Sequence, residues 1–142
     1  MRSPTHAAPL SERDYQALAR FRAALRRFQR FSEEAARAAG TTPAQHQLLL
    51  AVRGHAGDGP PVIADLADAL QLRHHSTVEL VDRAAAAGLL TRTPDPVDHR
   101  RQHVRLTAAG ERLLEGLSVV HRDELRRFRG QMVDVLAALD GD

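Results

Sequence analysis

Only two stretches of this chain have the composition of β-strands, Leu90–Thr93 (LTRT) and Gln102–Leu106 (QHVRL), and the segment between them holds two prolines and two aspartates. Strands so close in sequence pair as an antiparallel hairpin with a long tip. The sheet is therefore limited to two strands, and the rest of the fold has to be helical. The hairpin is also basic. From His99 to Arg105 it gathers three arginines and two histidines with no acid among them.

Helical signals fill the remainder. Ser11 and Asp14 form a Ser-x-x-Asp capping box that opens a long helix ending at Gly40, with Leu18, Phe21, Leu25 and Phe28 as a narrow apolar seam. Thr42-Pro43-Ala44-Gln45 supplies a capping box and a proline at the first helical position, and Leu48, Leu49 and Val52 follow as the buried side. The run Gly54–Pro61 (GHAGDGPP) is a loop by every local rule. Val62 and Ile63 read as a short strand or the start of a helix, and Ile63, Leu66, Ala67 and Leu70 mark a brief amphipathic helix.

A tight link through Gln71 and Leu72 leads to another helix, from about His75 to Ala87, with Gly88 as its stop. Val78, Val81 and Ala84 or Ala85 are expected on its inner side. That places Ser76, Glu79, Leu80 and Arg83 outward, with His74, His75 and Thr77 near the exposed N-terminus. After the hairpin, Thr107 caps a final helix whose apolar positions are Leu114, Leu117, Val120, Leu125, Phe128, Met132, Val135 and Leu139.

At 142 residues the chain fits one domain, because a single core of this size buries roughly two-thirds of the unfolded surface. Hydrophobic residues make up 43% and charged residues 27%, far from the pattern of a disordered chain. All 20 basic residues are arginine, so the pI is about 10.3 although the formal charge is only +2. With so small a net charge, the distribution of charge must carry the argument. Absence of cysteine removes disulfides, thiolate zinc sites and thiol redox sensing. The N-terminal MRSPTHAAPLSERD lacks the apolar stretch of a signal peptide, and no apolar run approaches the ~20 residues of a membrane span. A cytoplasmic location with no membrane partner is expected.

Helix, turn, helix and then a basic hairpin is the order of a winged helix-turn-helix, whose chemistry is DNA binding. The second helix of the pair fits a major groove about 12 Å wide, with its N-terminal residues at the base edges. The hairpin tip, or wing, reaches the neighbouring backbone and minor groove, where arginine is drawn by concentrated negative potential. The candidate DNA contacts are His74, His75, Ser76, Thr77, Glu79, Arg83, Arg100, Arg101 and His103. Asp98 reads as a tip turn-former or a partner that steers Arg100. The fold class expected is mainly α with a small β-hairpin wing: a winged helix-turn-helix (42–107) flanked by long N- and C-terminal dimerisation helices (11–39 and 108–139), all in one domain spanning 1–142.

With IADLADAL (Ile63–Leu70), LRHHSTVELVDRAAAAGLLTR (Leu72–Arg92), DPVDHRR (Asp95–Arg101) and VRLTAAG (Val104–Gly110) in that order, the chain resembles the MarR family of bacterial regulators. The resemblance implies a homodimer on a pseudopalindromic double-stranded operator, usually a repressor of nearby genes, released by a small phenolic or carboxylate effector. It matches Asp95, Asp98 and Arg100 to the family's Asp-x-x-Asp-x-Arg wing, with the two aspartates as supports and Arg100 entering the minor groove. It also implies a ligand cleft opening between the dimer helices and the DNA module. Phe21, Phe28, Phe31, His46 and Leu49 are the candidates by position, with His46 and Arg112 as partners for an anionic ligand; simple core packing is the competing reading for each. The chain departs from the pattern at Ala84, often leucine in the family, and at His74-His75, where small residues or proline are more usual.

Other classes fit less well. No GxSxG, HExxH or P-loop is present, and a P-loop needs a lysine that the chain lacks, so no enzyme and no cofactor are expected. His74 and His75 are adjacent on a helix and do not face one ligand, and His46, His55 and His121 could converge only through folding, so no metal site is expected. The alternative of a different class is a winged-helix architectural or protein-interaction module without ligand response.

Overall fold

In a computed structural model, residues 8–140 are described. The first seven residues of the N-terminal stretch weighed against a signal peptide, and the last two of the chain, lie outside them. The elements are α1 (Glu12–Ala38), α2 (Pro43–Arg53), α3 (Ile63–Leu70), α4 (His74–Ala86), β1 (Leu90–Pro94), β2 (Gln102–Leu106) and α5 (Ala108–Asp140). The fold class is as the sequence implies: five helices and one antiparallel hairpin, with Leu90 opposite Leu106 and Pro94 opposite Gln102. No described helix is long and apolar enough to cross a membrane.

Helix starts are set by their caps. Ser11 Oγ accepts from the Asp14 amide at 3.2 Å while the Asp14 carboxylate accepts from the Ser11 amide at 2.9 Å, which closes the box at the head of α1. Thr42 Oγ1 accepts from the Gln45 amide at 3.1 Å. The Gln45 side chain turns instead to the Thr41 hydroxyl, 3.0 Å away, so that box is only half formed. Val62 does both of the things its sequence allows: it bridges to His103 beside the hairpin and leads directly into α3, where Asp65 accepts its amide at 2.9 Å. Between α3 and α4 the chain reverses through Gln71, in the left-handed region at φ 54°, with its side chain donating to the Asp68 carbonyl.

Contacts divide the chain into two compact units. The larger, residues 32–120, has a core formed by Leu48, Leu49 and Val52 of α2, Ile63 and Leu66 of α3, Leu80, Val81 and Ala84 of α4, Leu90, Val104 and Leu114. Every element of the helix-turn-helix and both strands contribute to it, so the hairpin is anchored by its own apolar residues. Truncating a fully buried leucine such as Leu48 costs about 2–5 kcal/mol in cores of this kind. The smaller unit, residues 1–31 and 121–142 by its bounds, buries Ala17, Val135 and Ala138 against Phe21 and Met132. Phe28 lies 5.3 Å from Phe128 between ring centroids, and His121 stands edge-on to Phe28 and Phe31.

One expectation about buried faces is corrected. On α4 the buried residues are Thr77, Leu80, Val81 and Ala84, at positions i, i+3, i+4 and i+7 of one helix face, while Val78 is only half-buried. Leu80 therefore points inward rather than outward. On α1, Ala17 and Ala24 are buried, whereas Leu18 is 42% exposed.

Candidate nucleic-acid interface

The N-terminal turn of α4 is open to solvent. Arg73 occupies its N-cap without a side-chain cap bond, and His74, His75, Glu79 and Arg83 are exposed while Ser76 is half-buried. Uncapped amides at a helix start favour an anion such as a phosphate. Thr77 is corrected: its side chain is fully buried and its hydroxyl donates to the Arg73 carbonyl at 2.9 Å, so it holds the turn and cannot meet DNA.

The wing tip is built by its two aspartates. Asp95 Oδ1 accepts the amides of Val97 and Asp98, each at 2.9 Å, and the strands close with the Asp95 amide donating to the Arg101 carbonyl at 2.8 Å. These amides, that of Asp98 foremost, and the His103 ring hold the Asp95 carboxyl well below the usual carboxylate range. Asp98 Oδ1 accepts the Arg100 amide at 3.1 Å and lies 3.3 Å from its Nε. With the carboxylates used to brace the turn, the cations are left outside: the Arg100 side chain is 92% exposed, and Arg101 is exposed beside it. An ion pair this exposed is weak, on the order of 1 kcal/mol or less, so Arg100 is free to leave Asp98 for another anion.

His103 is also corrected. Rather than facing outward as a DNA contact, its ring lies between the Pro60 carbonyl, 2.9 Å from Nδ1, and the Asp95 carboxylate, 2.8 Å from Nε2. These two bonds raise its pKa, the Asp95 bond contributing most.

The wing and α4 face a common hollow of about 340 Å³, lined by His74, Val78, Arg92, Arg100 and Arg101 over a floor that includes Val62 and Ile63. The structure thus brings together His74, Arg100 and Arg101 from the expected set. It adds Arg92, which the sequence reading leaves out; Arg92 pairs with Asp82 of α4 and ties the first strand to the helix. Its place in a strand next to the basic wing is the one sequence signal that could have found it.

The ligand-cleft candidates fall in both units. Phe21, Phe28 and Phe31 belong to the smaller unit, where they pack against Ala17, Val135, Phe128 and His121. Leu49 is wholly within the core of the larger unit and His46 is 2% exposed there, whereas Arg112 is exposed on α5. For Leu49, core packing is the reading that the structure favours. Among the described residues no group of three or more histidine, cysteine, aspartate or glutamate side chains is placed to hold a metal ion.

Two short helices packed on a shared core by one face each, an exposed helix start and a braced, arginine-tipped hairpin define a winged helix-turn-helix. Residues 39–101 match the family model described as MarR family. Solved structures share the fold. The chain is similar to MepR of S. aureus in its DNA complex, with 23% identity over 78% of this chain and 80% of that one and a TM-score of 0.69. Likeness to AbsC, a MarR family transcriptional regulator from Streptomyces coelicolor, reaches a TM-score of 0.71 at 20% identity, over 86% and 82% of the two chains. A mutant MarR from E. coli complexed with operator DNA gives 0.68 at 23% identity, over 84% of each. No curated protein matches significantly. Residues 39–101 thus carry the MarR-family sequence pattern, and the solved structures share the fold of this chain.

Proposed function

We propose that the protein is a sequence-specific regulator that binds double-stranded DNA as a homodimer on a pseudopalindromic operator, represses nearby genes and is released by a small phenolic or carboxylate effector. The observation that carries the DNA reading is the pairing of an open α4 N-terminus with a wing whose arginines are displaced outward by its own aspartates. In this reading His74, His75, Ser76, Glu79 and Arg83 meet the major groove and its phosphates. Arg100 enters the minor groove, with Arg101 and Arg92 at its border.

Dimerisation is supported by the apolar side chains that the smaller unit leaves in solvent, among them Leu18, Leu125, Val133 and Leu136. A second copy covers such a surface at no cost in sequence. The effector rests on the family resemblance, with Phe21, Phe28, Phe31, His46 and Arg112 as its candidates.

Selection of DNA by the purified chain, followed by footprinting of the region beside its own gene, tests the proposal. The expected result is a protected site with inverted half-sites about 34 Å apart, one helical turn. Selected DNA with no twofold pattern would overturn it in favour of an architectural module. A panel of phenols and aromatic carboxylates scored by operator release tests the effector.

A further inference from the structure

His103 joins three parts of the DNA module. Its backbone bridges to Val62, and the following amide, that of Val104, donates to the Pro61 carbonyl at 2.9 Å, so β2 is held against the loop between α2 and α3. Its ring spans from Pro60 on that loop to Asp95 at the base of the wing tip. Both ring partners are acceptors. A proline carbonyl has no proton to give, and the Asp95 carboxylate is ionised because its other oxygen takes the Val97 and Asp98 amides. A neutral imidazole has one donor and one lone pair, so it can satisfy only one of these partners and must turn a lone pair on the other. An imidazolium donates to both.

We propose that His103 is a positioning residue which, as an imidazolium, clamps Asp95 to the α2–α3 loop and thereby holds the wing tip in the form that presents Arg100 to DNA. Operator binding then weakens as His103 loses its proton. This rests on the regulator reading above. The raised pKa of the ring, due first to Asp95 and then to Pro60, agrees with the geometry. The other charged groups on the elements around the ring include Arg101 and Arg105 on its own side of the hairpin, Arg92 on the paired strand, His55 and Asp58 on the loop, and Asp65 and Asp68 on α3. Of these, Arg101 opposes protonation, and His55 faces Asp65 at 3.8 Å rather than the clamp.

The ring itself gives the first test. In the full chain, a nitrogen-resolved NMR titration assigned with His103→Gln should show both His103 nitrogens protonated near neutral pH and titrating above the ordinary value of about 6.5. A single neutral tautomer at neutral pH would overturn the clamp. The second test measures binding to the selected operator across pH. Glutamine carries both its N–H donors on one nitrogen and cannot stand at both ring positions, so His103→Gln should bind about three- to tenfold more weakly at about pH 6, and the two proteins should converge by about pH 9. His74, His75 and His99 are common to both proteins and cancel in the ratio. A ratio that stays constant with pH would reduce His103 to a structural prop and overturn the proposal. Arg100→Ala should weaken binding at about pH 6 and lose most of the His103-dependent change with pH, because the clamp acts through Arg100; an Arg100→Ala chain with the full wild-type pH profile would overturn that link. A wild-type chain that selects no DNA would overturn the regulator reading, whereas the ring titration decides the clamp independently.

Discussion

Thr107 and Gly88 are joined by a hydrogen bond of 2.6 Å from the threonine hydroxyl to the glycine carbonyl. The same hydroxyl accepts the Gly110 amide at 3.1 Å, and the Thr107 amide donates to the Leu89 carbonyl at 3.0 Å. One side chain thus caps the start of α5 and fastens it to the turn that ends α4. Thr107→Ala should cost about 0.5–2 kcal/mol, the usual range for a lost N-cap, read as a lower urea midpoint with an unchanged slope.

The neighbouring Gly110 is required by space rather than by backbone angle. A Cβ there would overlap the Leu89 carbonyl oxygen, which is backbone and held by Thr107. Gly110→Ala should therefore destabilise by about 1–3 kcal/mol or more, despite alanine's better helix propensity. Gly116, on the same helix, has open space at its Cβ position, and its alanine variant should be neutral or stabilising by up to about 1 kcal/mol. Thermal melts of the two variants, compared side by side, check the contrast.

Much of this architecture was legible because it is written in local chemistry. Ser11 with Asp14, Thr42 before Pro43, and Thr107 before its helix are short-range signals, and each one caps where expected. What failed to show was the behaviour of polar residues whose partners are brought by folding. Thr77 reads as a surface residue because it is polar, yet its hydroxyl satisfies itself on the Arg73 carbonyl one turn back and its methyl is free to pack. That substitution of a threonine for an apolar residue turned the expected inner face of α4 towards Val78. His103 reads as part of a basic run, and its partner Pro60 lies 43 residues away, beyond any periodic pattern. The aspartates of the wing were legible as a motif; that they accept backbone amides is settled only by the folded turn.

Acid and base should loosen the wing for opposite reasons. Asp95 has its pKa depressed, so its contribution is present above the ordinary carboxylate pKa of about 3.9 and is lost as pH falls through the folded value. His103 has its pKa raised, so its contribution is complete below the ordinary histidine pKa of about 6.5 and is lost as pH rises through the folded value. Stability should accordingly peak between these limits. Amide exchange at Val97 and Asp98 should be slowest in that window, and Asp95→Asn should flatten both edges of the profile.

Arg100→Ala should weaken binding to many DNA sequences alike and lower the slope of log affinity against log salt by about one unit, because one phosphate-linked cation is removed. Arg83→Ala, on α4, should instead change which bases are preferred if its guanidinium pairs with a base edge. An Arg100 variant with the wild-type salt slope would remove Arg100 from the minor groove.

Dimerisation is best probed at a residue that the single chain does not itself bury. Phe128 packs against Phe28, so an aspartate there would damage the fold and the interface together. Leu125 is 53% exposed on the same helix. In a monomer, Leu125→Asp is a surface change worth no more than about 0.5 kcal/mol and would even aid solubility. In a dimer that covers this face, it places an unpaired charge in an apolar contact and should shift the chain to monomer at micromolar concentration. Light scattering after size exclusion reads the mass directly, and operator affinity should fall with it because each half-site is then held alone. A Leu125→Asp chain that remains dimeric would move the interface off this face of α5.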